Sequence, residues 1–598
     1  MTTEGWTAVA ILAAAVAAFA WGRLRPELIA MAAVLALGMT RLLSPAAAFA
    51  GFGDPNVLTI AAIFVLSAGL ERTGVAVRLA RWLLRAVGGH EGALLAALMG
   101  LAGALSGVMN VFGAIAMLLP VTIAVSREAG VSPARLLMPL AIGGRLGGAL
   151  TLIGKPSNLV ANGLLTESGA PPLEFFSFFP VGAAMLAVGT VFMATVGRRL
   201  LPAQAEVPAR TSAVRRGGLA ETYQLAERLY RIRVPEGSPL VGRPIADTSL
   251  SAEFGIIVLA LRRHRRWIQA PGPEERLAAG DTLVVEARPD DAARLREGNG
   301  VEVTPEAEAA RPSLESENIG LAEVVLAPRS DLIGKSLREL EFRQRYGLTV
   351  AAIWREGRPR RTWLADLPLQ YGDALLVQGP RERIRFLRQD PNYISLDETP
   401  ALRESRAPVA VTAAAALVVL ATSGALPLSL AALLAAGIVV AGGCVTSQEA
   451  FQAIDWPVVV VTGGLLPLGS VLQATGVAGA VAEAVVPLAG ANPLAVLAIV
   501  VLLAVALGHI VTSVPNTIIM MPIALAAAAA VGAPPAPFAI AVASATSVTL
   551  LTPISHPVSL MVMGPGGYRF ADYTRVGAPL AVLLTATMLA VIALRWPL

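Results

Sequence analysis

The sequence predicts an all-α polytopic membrane protein: two inverted repeats with two re-entrant hairpins and broken helices, with an α/β (α+β) soluble insert between them. Three observations lead there. Only 15% of the 598 residues are charged, 55% are apolar and the mean hydropathy is +0.65, well to the membrane side of ordinary soluble usage. The apolar runs stop near Leu200 and resume after Arg406, leaving a block rich in Arg, Glu, Asp and Pro between them. The two apolar blocks also repeat one another, which matters more for the fold than any single run.

Crossing the hydrocarbon core takes about 20 mostly apolar residues per helix. Runs that qualify include Trp6 to Trp21, Pro55 to Leu70, Phe178 to Val196, Ala407 to Thr422, Pro457 to Leu472 and Val576 to Leu594. The first is read as a span and not a signal peptide, because Glu4 precedes it in place of a basic region and further spans follow. A net charge of +5 and a pI near 9.7 would suit a nucleic-acid partner, but the arginines sit beside spans or in the insert. Membrane topology accounts for them, and no nucleic acid is expected. Cys444 is the single cysteine, which excludes disulfides and cysteine metal clusters. No His, Asp or Glu set has ligand spacing, and no residue set suggests an enzyme or a resident cofactor.

The repeats divide the chain into residues 1–202 (first membrane repeat), 203–228 (linker), 229–300 and 323–400 (two insert domains separated by a linker, 301–322) and 401–598 (second repeat). Thr40 to Asp54 has its counterpart in Thr446 to Asp455; each precedes a Pro, a span and the tetrapeptide TGVA, at Thr73 to Ala76 and Thr475 to Ala478. NVFGAIAMLLP from Asn110 parallels NTIIMMP from Asn516, and TLIGKPSN from Thr151 parallels TLLTPISHPVS from Thr549. Inversion follows from the loops, since short cytoplasmic loops collect Lys and Arg. First-half loops carry Arg78, Arg81 and Arg85, then Arg127 and Arg135; their second-half equivalents, Gly479 to Ala491 and Val531 to Pro537, carry only Glu483. Two loops on one side require a segment that enters and returns, so Gly92 to Val125 and Pro493 to Ala530 are predicted re-entrant hairpins. About ten spans, both termini outside and a cytoplasmic insert 203–400 follow, the plan of an alternating-access transporter.

Irregular backbone at membrane depth is tolerated only where protein buries it or it lines a cavity. Four breaks qualify: Ser106 to Asn110, Gly154-Lys155-Pro156-Ser157-Asn158, Thr512-Ser513-Val514-Pro515-Asn516-Thr517, and Thr552-Pro553 through His556 to Ser559. One such break alone reads equally well as a kink; four at repeat-related places read as a site. Half-helix N-termini there favour an anion, and carbonyls freed by the same breaks suit a cation. Ala129 to Thr166 holds no Asp or Glu but contains Arg145 and Lys155; Ala484 to Ala571 again holds none, with His509 and His556 present. Intramembrane charge is costly and functional by default, and cations without carboxylates favour a small anion as cargo. Arg145 also suits hydrogen bonding to broken-helix carbonyls, and His509 reads as a packed residue.

At these motifs the chain resembles the divalent anion:sodium symporter family of the ion transporter superfamily, most specifically over GGALTLIGKPSNLVANGLL and TPISHPVSLMVMGPGGYRFADYTRVGAPL. The resemblance implies an elevator-type homodimer in an inner (plasma) membrane, moving sulfate, a dicarboxylate or a related anion with sodium. It also implies a sodium site near Thr512, Asn516 and Pro553. Asn516-Thr517 keeps the family's second hairpin-tip motif; at the first, Asn110 stands but Val111 and Phe112 replace the amide and its neighbour. Where relatives often have Gly-Thr-Pro this chain has Gly154-Lys155-Pro156, and Ser559 stands where an Asn is common. Lys155 is therefore expected to occupy or screen the first sodium site.

The insert holds two copies of one pattern. PEGSPLVGRPI, FGIIVLALRRHRR and AAGDTLVVEA recur as APRSDLIGKSL, YGLTVAAIWREG and QYGDALLVQG. Thr282 to Glu286 and Ala374 to Gln378 read as strands after Gly-Asp turns. The copies look like the C-terminal subdomain of TrkA-type potassium-transport regulators, implying a regulatory-ligand site or a dimer-stabilising platform. Two further functional classes stay open at this stage: a cation/proton antiporter or oxyanion exporter, and a ligand-gated channel or nutrient sensor.

Overall fold

The computed structural model describes residues 2–597 apart from 22–23, 88–89, 202–228, 249, 251–252, 254–255, 265, 270, 288, 299–300, 306–318, 327–329, 356–357, 371, 391, 396–401 and 491. The expected linker 203–228 and much of 301–322 thus lie outside the described residues.

The first membrane block contains α1 (Thr3–Trp21), α2 (Pro26–Met39), α3 (Pro45–Phe49), α4 (Pro55–Arg72), α5 (Val75–Val87), α6 (Glu91–Ser106), α7 (Val111–Glu128), α8 (Ala134–Gly147), α9 (Pro156–Glu167) and α10 (Phe179–Phe192), which continues into the short α11 (Arg198–Leu200). The insert adds ten strands and the helices α12 (Pro289–Gly298), α13 (Phe342–Tyr346) and α14 (Arg381–Gln389). The second block is α15 (Ala407–Ser423), α16 (Leu428–Ala441), α17 (Ser447–Ala453), α18 (Trp456–Ala474), α19 (Val477–Val485), α20 (Pro493–Leu507), α21 (Ser513–Ala530), α22 (Pro535–Ala545), α23 (Pro557–Gly566) and α24 (Phe570–Arg595).

The order α1 to α10 recurs as α15 to α24, and the contacts exchange accordingly. α4 packs on α16 while α18 packs on α2; α9 packs on α22 while α23 packs on α8; α10 packs on its own counterpart, α24. Such exchange is what a pseudo-two-fold between halves produces. The duplicated signals have matching local causes. Asp54 caps α4 through Asn56 N–H with Pro55 at the first position, and Asp455 caps α18 through Val458 N–H with Pro457 near the start. TGVA is the turn that follows: Gly74 and Gly476 take φ of +67° and +77°, where a side chain would be strained.

Seven helices among the described residues are long and apolar enough to cross a membrane, and seven more apolar helices are shorter. Of the short ones, α6, α7 and α20 are hairpin arms, α22 ends at the break before α23, and α2 and α16 have only 14 residues each, about 21 Å at 1.5 Å per residue. The hairpins form as expected: α6 and α7 join at Gly107 to Asn110, α20 and α21 at Gly508 to Thr512. α8 is buried from Leu136 to Gly147 because its glycines permit backbone contact with α6. A Cβ on Gly147 would fall on the backbone of Gly103, and one on Gly143 would meet the backbone of Met99 at 2.7 Å. Small residues at helix contacts are how membrane helices pack closely.

The insert is two antiparallel five-stranded sheets of one topology. β1 (Leu229–Arg233), β2 (Ile257–Arg263), β3 (Arg266–Gln269), β4 (Thr282–Glu286) and β5 (Glu302–Pro305) run in the order β3-β2-β4-β1-β5. β6 (Ile319–Leu326), β7 (Thr349–Arg355), β8 (Arg358–Arg360), β9 (Ala374–Pro380) and β10 (Tyr393–Ser395) run β10-β6-β9-β7-β8, the same arrangement read backwards. The linker expected at 301–322 is narrower than that: Glu302–Pro305 pairs with β1 and β6 begins at Ile319. Each Gly-Asp turn is structural. Asp281 accepts from Ala278 N–H and pairs with Arg263; Asp373 accepts from Gln370 N–H and pairs with Arg355. The Asp281 hydrogen bond holds the Arg263 guanidinium above its usual range. The sheets share an apolar layer that includes Leu259, Ala260, Ala351, Ala352 and Leu376. The second unit reaches the membrane block through Arg25–Asp331 at 2.7 Å and through Gly372, whose backbone lies against Gly564 near the end of α23.

Candidate anion site

Both breaks are held open by side chains that satisfy the carbonyls a broken helix leaves free. In the first, the Asn158 amide donates to Gly148 O at 3.0 Å and Thr151 O at 2.8 Å, while the Thr151 hydroxyl donates to Gly107 O at the first hairpin tip. In the second, the Ser555 hydroxyl donates to Thr549 O at 2.6 Å and Thr552 O at 2.8 Å. Lys155 and His556 occupy the same structural place. Each is the extended N-cap of the half-helix after its break (φ −154° and −153°), and each precedes a proline. The tips are pinned too: Asn110 N–H donates to Ser67 Oγ of α4 at 2.9 Å, and the Asn516 amide donates across its hairpin to Ala504 O at 2.9 Å.

A cavity of about 110 Å³ opens where these parts meet. Asn110, Arg145, Gly154, Lys155, Pro156, Ser157, Ser513 and His556 are among the residues that line it. Ile60, Ile63 and Phe64 of α4 form an apolar wall, and Val111 lines the cavity at the first tip. The other expected residues lie behind the lining. Ser106, Asn158, Asn516 and Thr552 keep buried oxygens (Ser106 Oγ, Asn158 Oδ1, Asn516 Oδ1 and Thr552 Oγ1) without a hydrogen-bond partner among the described residues. Thr512 is the N-cap of α21; Pro515 and Thr517 sit in its first turns, with the Thr517 hydroxyl turned back to Ser513 O at 2.9 Å. Pro553 begins the short turn Pro553–Ser555. Ser559 accepts from Arg145 at 3.4 Å, and its carbonyl accepts from the Tyr573 hydroxyl at 2.6 Å.

Two cations face this cavity with neutral partners only. The Arg145 guanidinium, 3% exposed, donates to Thr549 O at 2.6 Å and Thr549 Oγ1 at 2.9 Å. The Lys155 ammonium donates to Ala543 O at 2.7 Å, Thr546 Oγ1 at 2.8 Å and Ser547 Oγ at 2.7 Å. No carboxylate is among the lining residues. A buried charge without a counter-charge is expensive, so the cavity chemistry favours a negatively charged ligand. The Lys155 side chain thus crosses from the first half to the end of α22 in the second. His509 hydrogen-bonds its own helix, Nδ1 to Val505 O at 2.8 Å, and does not line the cavity.

Sequence reasoning missed Thr546, Ser547 and Thr549, which hold the two cations. Their signal was available as a run of hydroxyls, Ser544 to Thr549, in an otherwise apolar stretch. It also passed over Glu71, near the end of α4, whose carboxylate lies against Gly113 just beyond the first tip but outside the cavity lining.

The model of the family described as CitMHS, citrate transporter, matches residues 16–545. The chain belongs to that citrate transporter family. Among its relatives, an Escherichia coli protein named "Uncharacterized transporter YfbS" is 33% identical over 605 residues, covering 98% of both chains. A Chlamydomonas reinhardtii protein named "Sodium/sulfate cotransporter 2" is 24% identical over 371 residues, covering 60% of this chain and 42% of its own. Another from the same alga, named as a candidate sulfur deprivation response regulator, is 27% identical over 564 residues, covering 90% of this chain and 93% of its own. The crystal structure of the Alcanivorax borkumensis YdaH transporter aligns over 97% of this chain and 98% of its own, at 13% identity and a TM-score of 0.47, too distant to argue from. Membership makes this chain a membrane transporter. It also places the resemblance at superfamily breadth: the matching model is the citrate transporter one, and the sodium/sulfate cotransporters are more distant relatives.

Proposed function

We propose that this citrate transporter family member is a secondary active transporter of a small divalent anion, sulfate or a dicarboxylate, bound between the hairpin tips and the two breaks. One observation carries the proposal: the cavity is lined by two cations, Arg145 and Lys155, and no carboxylate. The half-helices α9 and α23 begin at its edge with Pro156 and Pro557, so their positive ends add to the same field. The α4 wall is apolar, which suits an elevator movement of the hairpins and broken helices past it. The arginine-rich loops favour a cytoplasmic insert in an inner membrane with both termini outside. A homodimer, as the family resemblance implies, would cover part of the exposed apolar surface. The sequence resemblance of the insert's two copies to TrkA-type subdomains supports a regulatory role, and Gly372 against α23 gives the insert a contact with the site's own helix.

The test is uptake of radiolabelled sulfate, succinate and citrate into proteoliposomes of the full chain, with and without sodium and a pH gradient. Saturable uptake of at least one divalent anion is expected. Sodium-driven proton flux with no anion uptake would return the function to a cation/proton antiporter. A second reading, a nutrient sensor, is favoured by the relative named for the sulfur deprivation response. It predicts signalling that survives in a transport-dead variant.

A further inference from the structure

We infer that the Lys155 ammonium is a built-in cation that takes the place of one co-transported sodium ion. The inference rests on the transport reading above. Its carrier is the ligand set: one main-chain carbonyl, Ala543, and two hydroxyls, Thr546 and Ser547, at 2.7, 2.8 and 2.7 Å from Nζ. An ammonium has three N–H donors, and here each has an oxygen.

The place is as informative as the count. Ala543 lies in the last turn of α22, which ends at Ala545 inside the protein. The last carbonyls of a helix have no in-helix donors and carry its negative end, and unwound carbonyls of broken helices are where membrane transporters hold a coupling cation. Neutral oxygens suit a hard monovalent cation equally well, so Lys155 fills a position that a free ion would otherwise take. Its backbone belongs to the N-cap of α9 in the opposite half. The charge is therefore tethered to the site in every conformation and cannot dissociate with the anion. Buried oxygens without partners remain on Asn158, Asn516 and Thr552, so another cation can still bind; the inference removes one ion from the coupling and not every ion.

The experiment measures initial anion uptake against sodium concentration for the wild type and for Lys155→Thr, which keeps an oxygen ligand and removes the charge. A sodium Hill slope of at most about one is expected for the wild type, rising by about one in Lys155→Thr as a second ion enters the vacated oxygens. A second readout needs no transport: melting of the purified full chain in sodium chloride against choline chloride. Lys155→Thr, or the neutral and similarly long Lys155→Met should the threonine variant not fold, shows a sodium-specific rise in Tm larger than that of the wild type. A wild-type slope near two, or an unchanged sodium response in both variants, overturns the inference. If the wild type carries no anion at all, the transport reading fails, and the melting comparison alone decides whether Lys155 fills a cation position.

Discussion

The two halves of the membrane region match helix for helix, yet they divide the chemistry unequally. The first half supplies both cavity cations, Arg145 and Lys155, and each reaches across to oxygens of the second: Thr549 and Ser559 for Arg145, Ala543, Thr546 and Ser547 for Lys155. The second half supplies hydroxyls, carbonyls and His556. At equivalent N-caps, an ammonium in one half faces an imidazole in the other. The frame is near-symmetric, while the cavity's cations sit in one half and their acceptors in the other. Each cation is held by oxygens of the other half, which ties the two together across the cavity.

That division can be broken from either side. The largest effect is expected at the cations. Arg145→Gln removes a buried, hydrogen-bonded charge and leaves the Thr549 carbonyl with only the Ser555 hydroxyl; uptake should fall about 100-fold, on the order of 3 kcal/mol of lost binding. The reverse change on the other side, Thr549→Val, removes the hydroxyl acceptor while the Thr549 carbonyl remains, and should cost several-fold. If both were equally silent, the asymmetry would have no functional meaning. Next comes the frame that positions the cations. Gly147→Val forces α8 off the Gly103 backbone and should lower stability by about 3 kcal/mol, seen as a lower Tm in detergent. Gly100→Ala on the same helix pair meets nothing within 4 Å and should leave the Tm within a few degrees of wild type. The smallest effects separate the repeat-related residues Asn158 and Ser559. Asn158→Ala frees two carbonyls in the first break and should cost about 1–3 kcal/mol. Ser559→Ala loses only a 3.4 Å contact with Arg145 and should cost about 0.5–1 kcal/mol. Urea-free thermal melts of the two variants side by side check that order.

Much of this was legible in the sequence because membrane solvent leaves few ways to place a polar residue. A Gly-Lys-Pro-Ser-Asn or Thr-Pro-Ile-Ser-His-Pro interruption in an apolar run has to be a break, and repetition of the flanking segments located its twin. The hairpins followed from loop charge, and the insert's two copies from their recurring Gly-Asp turns. What could not be read was which oxygens each cation meets. Lys155 and Thr546 are 391 residues apart, and no local pattern sets a distance between halves. Helix length was also hidden, since α2 and α16 are trimmed by turns within longer apolar stretches. Glu71 escaped because attention to carboxylates was confined to the stretches around the breaks, while the first hairpin leans on α4 from outside them.

Two buried cations in a cavity lined by no carboxylate should favour a divalent anion over a monovalent one, and varying the charge of the ligand separates the two. Equilibrium competition on the purified full chain, against whichever labelled divalent anion the wild type takes up, should rank ligands by charge at similar size. Sulfate should outcompete a singly charged alkyl sulfonate, and succinate its monoamide, by about tenfold or more, with the preference collapsing in Arg145→Gln. Binding that ignores ligand charge, or a preference that survives intact in Arg145→Gln, would contradict it.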